Sequence, residues 1–192
     1  MVFNRSERKV ELEGEAYFEV IHDEKRPFKV AFISNKVDDP FGEVTVLGTH
    51  FNVNAYLDEN KIKVTLLEGS VKISKFGING ANSIERYIKP GQQSLFKKYS
   101  NETISIMDLD EPSDDIAWIN GRFSFQSITF SEMMRELSRW YDIDVSYEGN
   151  IPTNTIVGEV DRTISLSQLL QTLEKMGYNH FKIEGRKVTV IQ

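Results

Sequence analysis

The last third of the chain repeats one pattern of apolar and polar positions. In two stretches, apolar residues recur at steps of three and four, which places them on one face of a helix. Each stretch opens with a hydroxyl residue followed three positions later by Glu or Gln, the spacing of a capping box. We therefore predict two amphipathic helices. Their apolar residues are Phe130, Met133, Met134, Leu137, Trp140 and Tyr141 in the first copy, and Leu166, Leu169, Leu170, Leu173 and Met176 in the second.

Short runs of alternating apolar and polar residues flank both predicted helices, one before and one after each. The predicted strands are residues 122–126, 143–147, 155–160, 181–183 and a closing strand at 187–191. Gly177 is placed to end the second helix in a left-handed conformation. The pattern predicts a duplicated β-α-β unit with both helices on one face of a single small sheet.

The end of the first predicted helix combines Arg139, Trp140 and Tyr141. Trp140 continues the apolar stripe, so we expect its indole to be buried. Arg139 suits this position because a cation at a helix C-terminus opposes the negative end of the helix dipole. An exposed Tyr141 would add to a recognition surface. Our candidate partner-binding residues are Arg139, Tyr141, Tyr147 and Arg186.

From about residue 9 to residue 107, apolar and charged residues alternate, which is the period-two pattern of strands with one face in water. Turn residues separate the runs, and no helical period interrupts them. This part is predicted to be an all-β domain: an antiparallel sandwich, a roll or a solenoid. The runs begin near Val10 and Ala16 and continue through residues 28–32, 43–47, 51–56, 61–67, 71–74, 84–88, 93–96 and 103–107.

Two short segments within the strand-rich part resemble each other. Residues 12–16 and residues 67–71 both begin Leu-Glu-Gly. In each, a strand is broken by glycine and then resumes. A duplication and the same bend made twice explain the likeness equally well.

An acidic, proline-containing stretch at residues 108–115 separates the strand-rich part from the repeat. We expect an α+β chain with an all-β domain at 1–107, a connector at 108–121 and a β-α-β repeat domain at 122–192. The carboxylates of the connector lack the glycine and the terminal glutamate of an EF-hand calcium loop. A solvated linker is the preferred interpretation.

The composition of the chain excludes several classes of binding partner and several kinds of chemistry. The 192 residues carry a formal net charge of −6 and no basic patch, which argues against nucleic acid as a partner. Cysteine is absent, which excludes disulfides, thiolate metal sites and cysteine nucleophiles. No apolar run approaches the ~20 residues that cross a bilayer.

No catalytic pattern is found in the sequence. The three histidines are scattered without metal-ligand spacing, and there is no G-x-S-x-G elbow. A glycoside hydrolase needs two facing carboxylates, and the available pairs are Glu13 with Glu15 and Glu11 with Glu19. Alternation makes these residues a water-facing strand surface instead. We therefore expect no enzyme activity, no cofactor and no metal.

Motifs along nearly the whole chain carry a family resemblance. They are residues 14–20 (Gly-Glu-Ala-Tyr-Phe-Glu-Val), 26–30 (Arg-Pro-Phe-Lys-Val), 46–56 (Val-Leu-Gly-Thr-His-Phe-Asn-Val-Asn-Ala-Tyr), 64–71 (Val-Thr-Leu-Leu-Glu-Gly-Ser-Val), 89–93 (Lys-Pro-Gly-Gln-Gln), 118–125 and 139–142 (Arg-Trp-Tyr-Asp). In this order they resemble the FecR family of membrane-anchored anti-sigma regulators. The exact residues of the motifs are similar to those of the Bacteroidetes branch of that family. Residues 34–43 depart from the family pattern, because this link between strands is longer than usual.

The resemblance implies a place and a set of partners. The repeat domain is similar to the STN-type domain, which also stands at the periplasmic front of TonB-dependent receptors and in secretins. The chain is then the periplasmic part of a longer inner-membrane protein. Its implied partner is the N-terminal signalling domain of a TonB-dependent outer-membrane receptor for iron or another nutrient. The resemblance implies a cytoplasmic segment that controls an extracytoplasmic-function sigma factor and a single helix that spans the membrane. Both of these segments lie outside the residues of this chain.

Two other hypotheses remain open at this point. A carbohydrate-binding β-sandwich module would use Tyr17, Tyr56 and Tyr87 to stack on sugar rings. A glycoside hydrolase would need the carboxylate pairs to face each other across a cleft. A docking sensor needs no catalytic residue, because free sheet edges and shallow grooves between helices suffice to bind a partner protein.

Overall fold

The computed structural model describes residues 2–3, 6–34, 40–77 and 82–191. It divides into two compact units, Met1–Ile116 and Ala117–Gln192. The division falls within the predicted connector, much of which is a 3-10 helix at Pro112–Asn120. The domain limits 107 and 122 themselves stay a prediction. Within the departing segment 34–43, residues 35–39 lie outside the described residues.

Strands make up the first unit, as the alternating pattern predicts. They are β1 Val2–Phe3, β2 Arg8–Leu12, β3 Gly14–Glu19, β4 Phe28–Phe32, β5 Gly42–Val46, β6 His50–Ala55, β7 Lys61–Glu68, β8 Val71–Lys75, β9 Ile84–Ile88, β10 Gln92–Lys97 and β11 Ser105–Asp108. Most observed bounds lie within one or two residues of the predicted ones. Local alternation therefore located nearly every strand of this unit.

The strands of the first unit form two sheets that share one apolar core. The order is β1-β2-β4-β5-β8-β9 in the six-stranded sheet and β11-β10-β7-β6-β3 in the five-stranded sheet. Phe32 and Ile73 of the first sheet and Phe51 and Leu66 of the second are all fully buried in that core. The unit is therefore a sandwich, which decides among the predicted all-β architectures.

One strand pair departs from the predicted antiparallel arrangement. β2 and β4 pair in parallel, with Val10 opposite Val30. The reason is that β3, which lies between them in the chain, belongs to the other sheet. The chain crosses over and returns in its original direction, as a parallel pair requires.

The two similar segments at 12–16 and 67–71 mark bends at which the chain changes sheets. Gly14 has φ 101° between β2 and β3, and Gly69 has φ 93° between β7 and β8. Each passage leads from one sheet of the sandwich to the other, in opposite directions. Positive φ favours glycine at such a bend. The structure thus favours one bend made twice over a duplication.

The second unit contains the two predicted helices, α1 Phe130–Tyr141 and α2 Leu166–Lys175. Both capping boxes are confirmed: Thr129 Oγ1 accepts from the Glu132 N–H, and Ser165 Oγ accepts from the Gln168 N–H. Gly177 follows α2 with φ 86°, the expected left-handed conformation. The strands are β12 Arg122–Thr129, β13 Asp144–Glu148, β14 Thr155–Asp161, β15 His180–Glu184 and β16 Lys187–Ile191.

The prediction of a single small sheet in the second unit is wrong. β12 pairs with β14 in one sheet, while β13 and β15 flank β16 in another. One core contains residues of both sheets and of both helices. Periodicity shows which face of each strand is apolar, but strand pairing depends on contacts between distant residues. Because the two copies contain similar strands, the pattern alone allows each strand more than one pairing partner.

The solvated-linker interpretation is wrong at the C-terminal end of the acidic stretch. Asp115 is half-buried in the 3-10 helix, and its carboxylate accepts a hydrogen bond from Gln93 of β10. The sequence shows only an acidic residue followed by an apolar turn. The polar partners lie tens of residues away, so their approach is a product of the fold.

We expect Gly69→Ala to lower the free energy of unfolding by about 3 kcal/mol, which urea titration would measure. A Cβ at Gly69 would lie 2.8 Å from the carbonyl oxygen of Gly48 and 2.9 Å from Thr49 Oγ1, in addition to the strain of its positive φ. Gly91→Ala is the control, because Gly91 has φ 84° but nothing within 4 Å of its added Cβ. The control should lose about 1–2 kcal/mol. Equal losses would contradict the close approach at Gly69.

Candidate partner-binding surface

Trp140 is exposed at the end of α1, where the sequence pattern predicted burial. Its exposed fraction is 49%. Tyr141 takes the inward position instead: its hydroxyl donates to the carbonyl of Ile164 at 2.7 Å, and burial raises its pKa. Steps of three and of four from Leu137 reach Trp140 and Tyr141 respectively, so periodicity does not choose between them. Packing in the folded unit does.

Arg162 holds the exposed indole of Trp140 in place. The guanidinium carbon lies 4.8 Å from the Trp140 ring centroid and 4.5 Å from that of Phe123. Arg162 also donates to Glu136 Oε1 at 3.1 Å, and its carbonyl accepts from Trp140 Nε1 at 3.3 Å. A cation between two aromatic faces is attracted to both ring quadrupoles. The indole is thus fixed by contacts to both its ring and its N–H group.

The Arg162 side chain is largely withdrawn from water, with 12% of it exposed. Its Nε is buried and has no hydrogen-bond partner among the described residues. Removing a charge from water is costly unless ion pairing and other contacts offset the loss. The arrangement therefore depends on Glu136 and the two rings together. Sequence reasoning missed Arg162, because its partners come from other elements and no local motif marks it.

The other predicted binding residues fall into two groups. Arg186 is exposed and pairs with Asp142, the residue after α1, with Nη2 and Oδ1 2.5 Å apart. Arg139 lies half-buried in the last turn of α1. Tyr147 of β13 instead packs against the core, and burial raises its pKa. Arg139 and Arg186 thus lie at the Trp140 end of α1, while Tyr141 and Tyr147 face inward.

Four strands of the second unit, β12, β13, β14 and β15, have a paired neighbour on one side only within its described residues. β14 pairs only with β12, and β15 pairs only with β16. Each carries an exposed apolar side chain, Val157 on β14 and Ile183 on β15. Unpaired backbone groups beside apolar side chains are suited to accepting a strand from another protein.

The residues proposed for sugar chemistry do not converge in the structure. Tyr17 lies in β3 of the five-stranded sheet, whereas Tyr87 lies in β9 of the six-stranded sheet. Glu11 and Glu19 are likewise in strands of different sheets, and Glu15 accepts a hydrogen bond from Asn52 at 2.8 Å. The structure therefore does not support a platform built from Tyr17 and Tyr87 or a pairing of Glu11 with Glu19.

Within the part of the chain that the structure describes, no group of three or more His, Cys, Asp or Glu side chains is placed to hold a metal ion. No helix in that same part has both the length and the apolar character needed to cross a membrane.

Two sequence profiles match most of the chain: FecR protein at residues 2–72 and FecR, C-terminal at residues 122–190. The chain belongs to the FecR family. It is similar to two crystal structures of a proposed anti-sigma factor from Parabacteroides distasonis ATCC 8503, each with a TM-score of 0.80 and 26% identity. The alignments cover 98% of this chain and 82% of that one in the first case, and 100% and 83% in the second. No curated protein matches the chain.

Membership of the FecR family supports a regulatory role for the chain. The family is one of anti-sigma factors, so a sigma factor is the general class of target. Such regulators act through binding surfaces and not through catalysis. The exposed features around Trp140 are therefore considered as elements of a protein interface.

In this FecR-family unit we expect Arg162→Lys to lower the free energy of unfolding by about 1–2 kcal/mol in urea titration. A lysine ammonium lacks the broad guanidinium that lies over both rings, so these cation–aromatic contacts are weakened although the charge remains. Arg122→Lys is the control, since its ion pair with Glu159 is exposed and should change stability by less than about 0.5 kcal/mol. Similar small effects in both variants would show that the aromatic contacts of Arg162 contribute little.

Proposed function

We propose that this chain is the periplasmic sensor portion of a transmembrane anti-sigma regulator. It receives a signal from the N-terminal signalling domain of a TonB-dependent outer-membrane receptor. Through the rest of the regulator it controls an extracytoplasmic-function sigma factor. Membership of the FecR family supports the regulatory part of this proposal. The observation that carries the docking part is the exposed Trp140, whose ring and N–H group are both contacted by Arg162.

A fixed, exposed tryptophan is well suited to anchor a protein interface. Tryptophan and arginine are enriched among the few residues that dominate binding energy at such interfaces. Binding also costs entropy for each side chain that must be immobilised. Arg162 and Phe123 already hold the Trp140 ring, so that cost is reduced before the partner arrives.

Charged side chains near the C-terminal end of α1 would form the rim of the interface. Arg139 precedes Trp140 in α1, and the Arg186–Asp142 pair lies just beyond the end of that helix. Exposed charges at a rim mainly affect the association rate and partner choice. We propose Trp140 as the centre, with Arg139 and Arg186 at the edge.

We also propose that the second unit is an STN-like domain. Its order β12-α1-β13 is repeated as β14-α2-β15, and both helices begin with a capping box. A receptor signalling domain of the same type would meet a unit of similar build. The unpaired edges of β14 and β15 then offer a second means of contact, through strand addition.

We expect Trp140→Ala to weaken binding of the receptor's signalling domain at least tenfold, because the anchor of the interface is removed. Calorimetric titration with the signalling domain of the receptor encoded beside this gene would measure it. Met176→Ala is the matched control, since Met176 is an exposed apolar residue at the end of the other helix. It should bind like the unaltered chain.

Trp140→Phe distinguishes lost binding from lost folding, because it retains an aromatic ring beside Arg162. It should unfold close to the unaltered chain and still bind less tightly. Equal binding by all variants would show that Trp140 does not lie in the interface. Absence of binding by the unaltered chain at high micromolar concentration would overturn the proposed receptor partner.

A further inference from the structure

The outer face of the five-stranded sheet carries a row of polar side chains that is buried. Asn52 of β6, Thr65 of β7 and Gln93 of β10 lie opposite one another across three adjacent strands. Their exposed fractions are 3%, 1% and 6%. Because side chains alternate along a strand, their neighbours Phe51 and Val64 point into the apolar core instead. The buried polar row therefore needs a polar cover.

That cover is provided by residues 112–116, which begin the 3-10 helix and which we name the strap. The carboxylate of Asp115 accepts hydrogen bonds from Thr65 Oγ1 and Gln93 Nε2. The backbone carbonyl of Asp115 accepts from Asn52 Nδ2 at 3.1 Å. A single residue of the strap thus contacts every member of the row.

The row has internal hydrogen bonds that do not depend on the strap. Gln93 Nε2 donates to Thr65 Oγ1 at 3.1 Å, and Asn52 Nδ2 donates to Glu15 Oε1 at 2.8 Å. These contacts join β3 to β6 and β7 to β10 within the same sheet. The sheet would therefore keep its polar face organised after the strap leaves.

Two properties make the attachment of the strap reversible. Departure of Asp115 would let its carboxylate and the amide and hydroxyl groups that bind it exchange one another for water, so the net cost is limited to that of a few hydrogen bonds. Exposing an apolar face of the same size would instead lose the hydrophobic stabilisation of that area. In addition, Asn52 Oδ1 is buried without a hydrogen-bond partner among the described residues, and opening would hydrate it.

We propose that residues 112–116 form a releasable strap, fastened by Asp115 and able to open while the sandwich stays folded. The strap contains the last residues of the first compact unit, which ends at Ile116. The proposal concerns a conformational step within this chain and is independent of the identity of the partner.

Hydrogen exchange measured by mass spectrometry on the whole chain tests the strap. Asp115→Ala should speed exchange of the amides in residues 112–116 by about tenfold to a hundredfold, since hydrogen bonds to a charged group are lost. The amides of β7 should keep their protection. Asp114→Ala is the control, because Asp114 is the adjacent acid of the same helix and no side-chain contact to the row involves it. Its exchange pattern should match the unaltered chain.

Two results would overturn the proposal. Parallel acceleration of the strap and of β7 in Asp115→Ala, with a matching fall in melting temperature, would make the contact part of global unfolding. Unchanged exchange in the strap would show that Asp115 does not hold it. If Asp115→Ala fails to fold, hydrogen exchange of the unaltered chain is measured at several low urea concentrations instead. Exchange of the strap independent of urea supports local opening, and a urea dependence equal to that of β7 excludes it.

Discussion

The requirement that each patterned element cover its apolar face governs both units of this chain. In the first unit two sheets cover each other, so the apolar sides of β4 and β7 meet in one core. In the second, α1 and α2 share a core with two small sheets. The glycine bends at Gly14 and Gly69 serve this requirement, because they carry the chain from one sheet of the sandwich to the other.

Polar groups withdrawn from water have opposite consequences in the two units. The guanidinium of Arg162 is enclosed by two rings and a carboxylate, and these contacts restrict the positions that Trp140 can adopt. The row beneath Asp115 is polar on both sides of the contact, so separation replaces one set of hydrogen bonds with another. Burial of charge among aromatic rings thus favours a fixed surface. A polar contact over a polar sheet face favours a movable one.

Both features fit a protein whose work is to transmit a binding event. A FecR-family regulator needs a surface that a partner can find already formed and a segment that can change state without unfolding the domain. Under our proposals, the exposed indole of Trp140 supplies the first property and the strap supplies the second. Tyr17 and Tyr87, which were considered for sugar binding, lie in strands of different sheets, and so do Glu11 and Glu19.

Short-range features were determined by the sequence alone. The bounds of β4 and β9, both capping boxes and the left-handed Gly177 depend on residues within a few positions of one another. The tertiary structure decided the number of sheets, the parallel pairing of β2 with β4, and the choice of Tyr141 over Trp140 for the core. It also brought Arg162 to Trp140 and Asp115 to Gln93. These outcomes depend on competition between distant partners that share the same local pattern, and only packing of the whole unit resolves it.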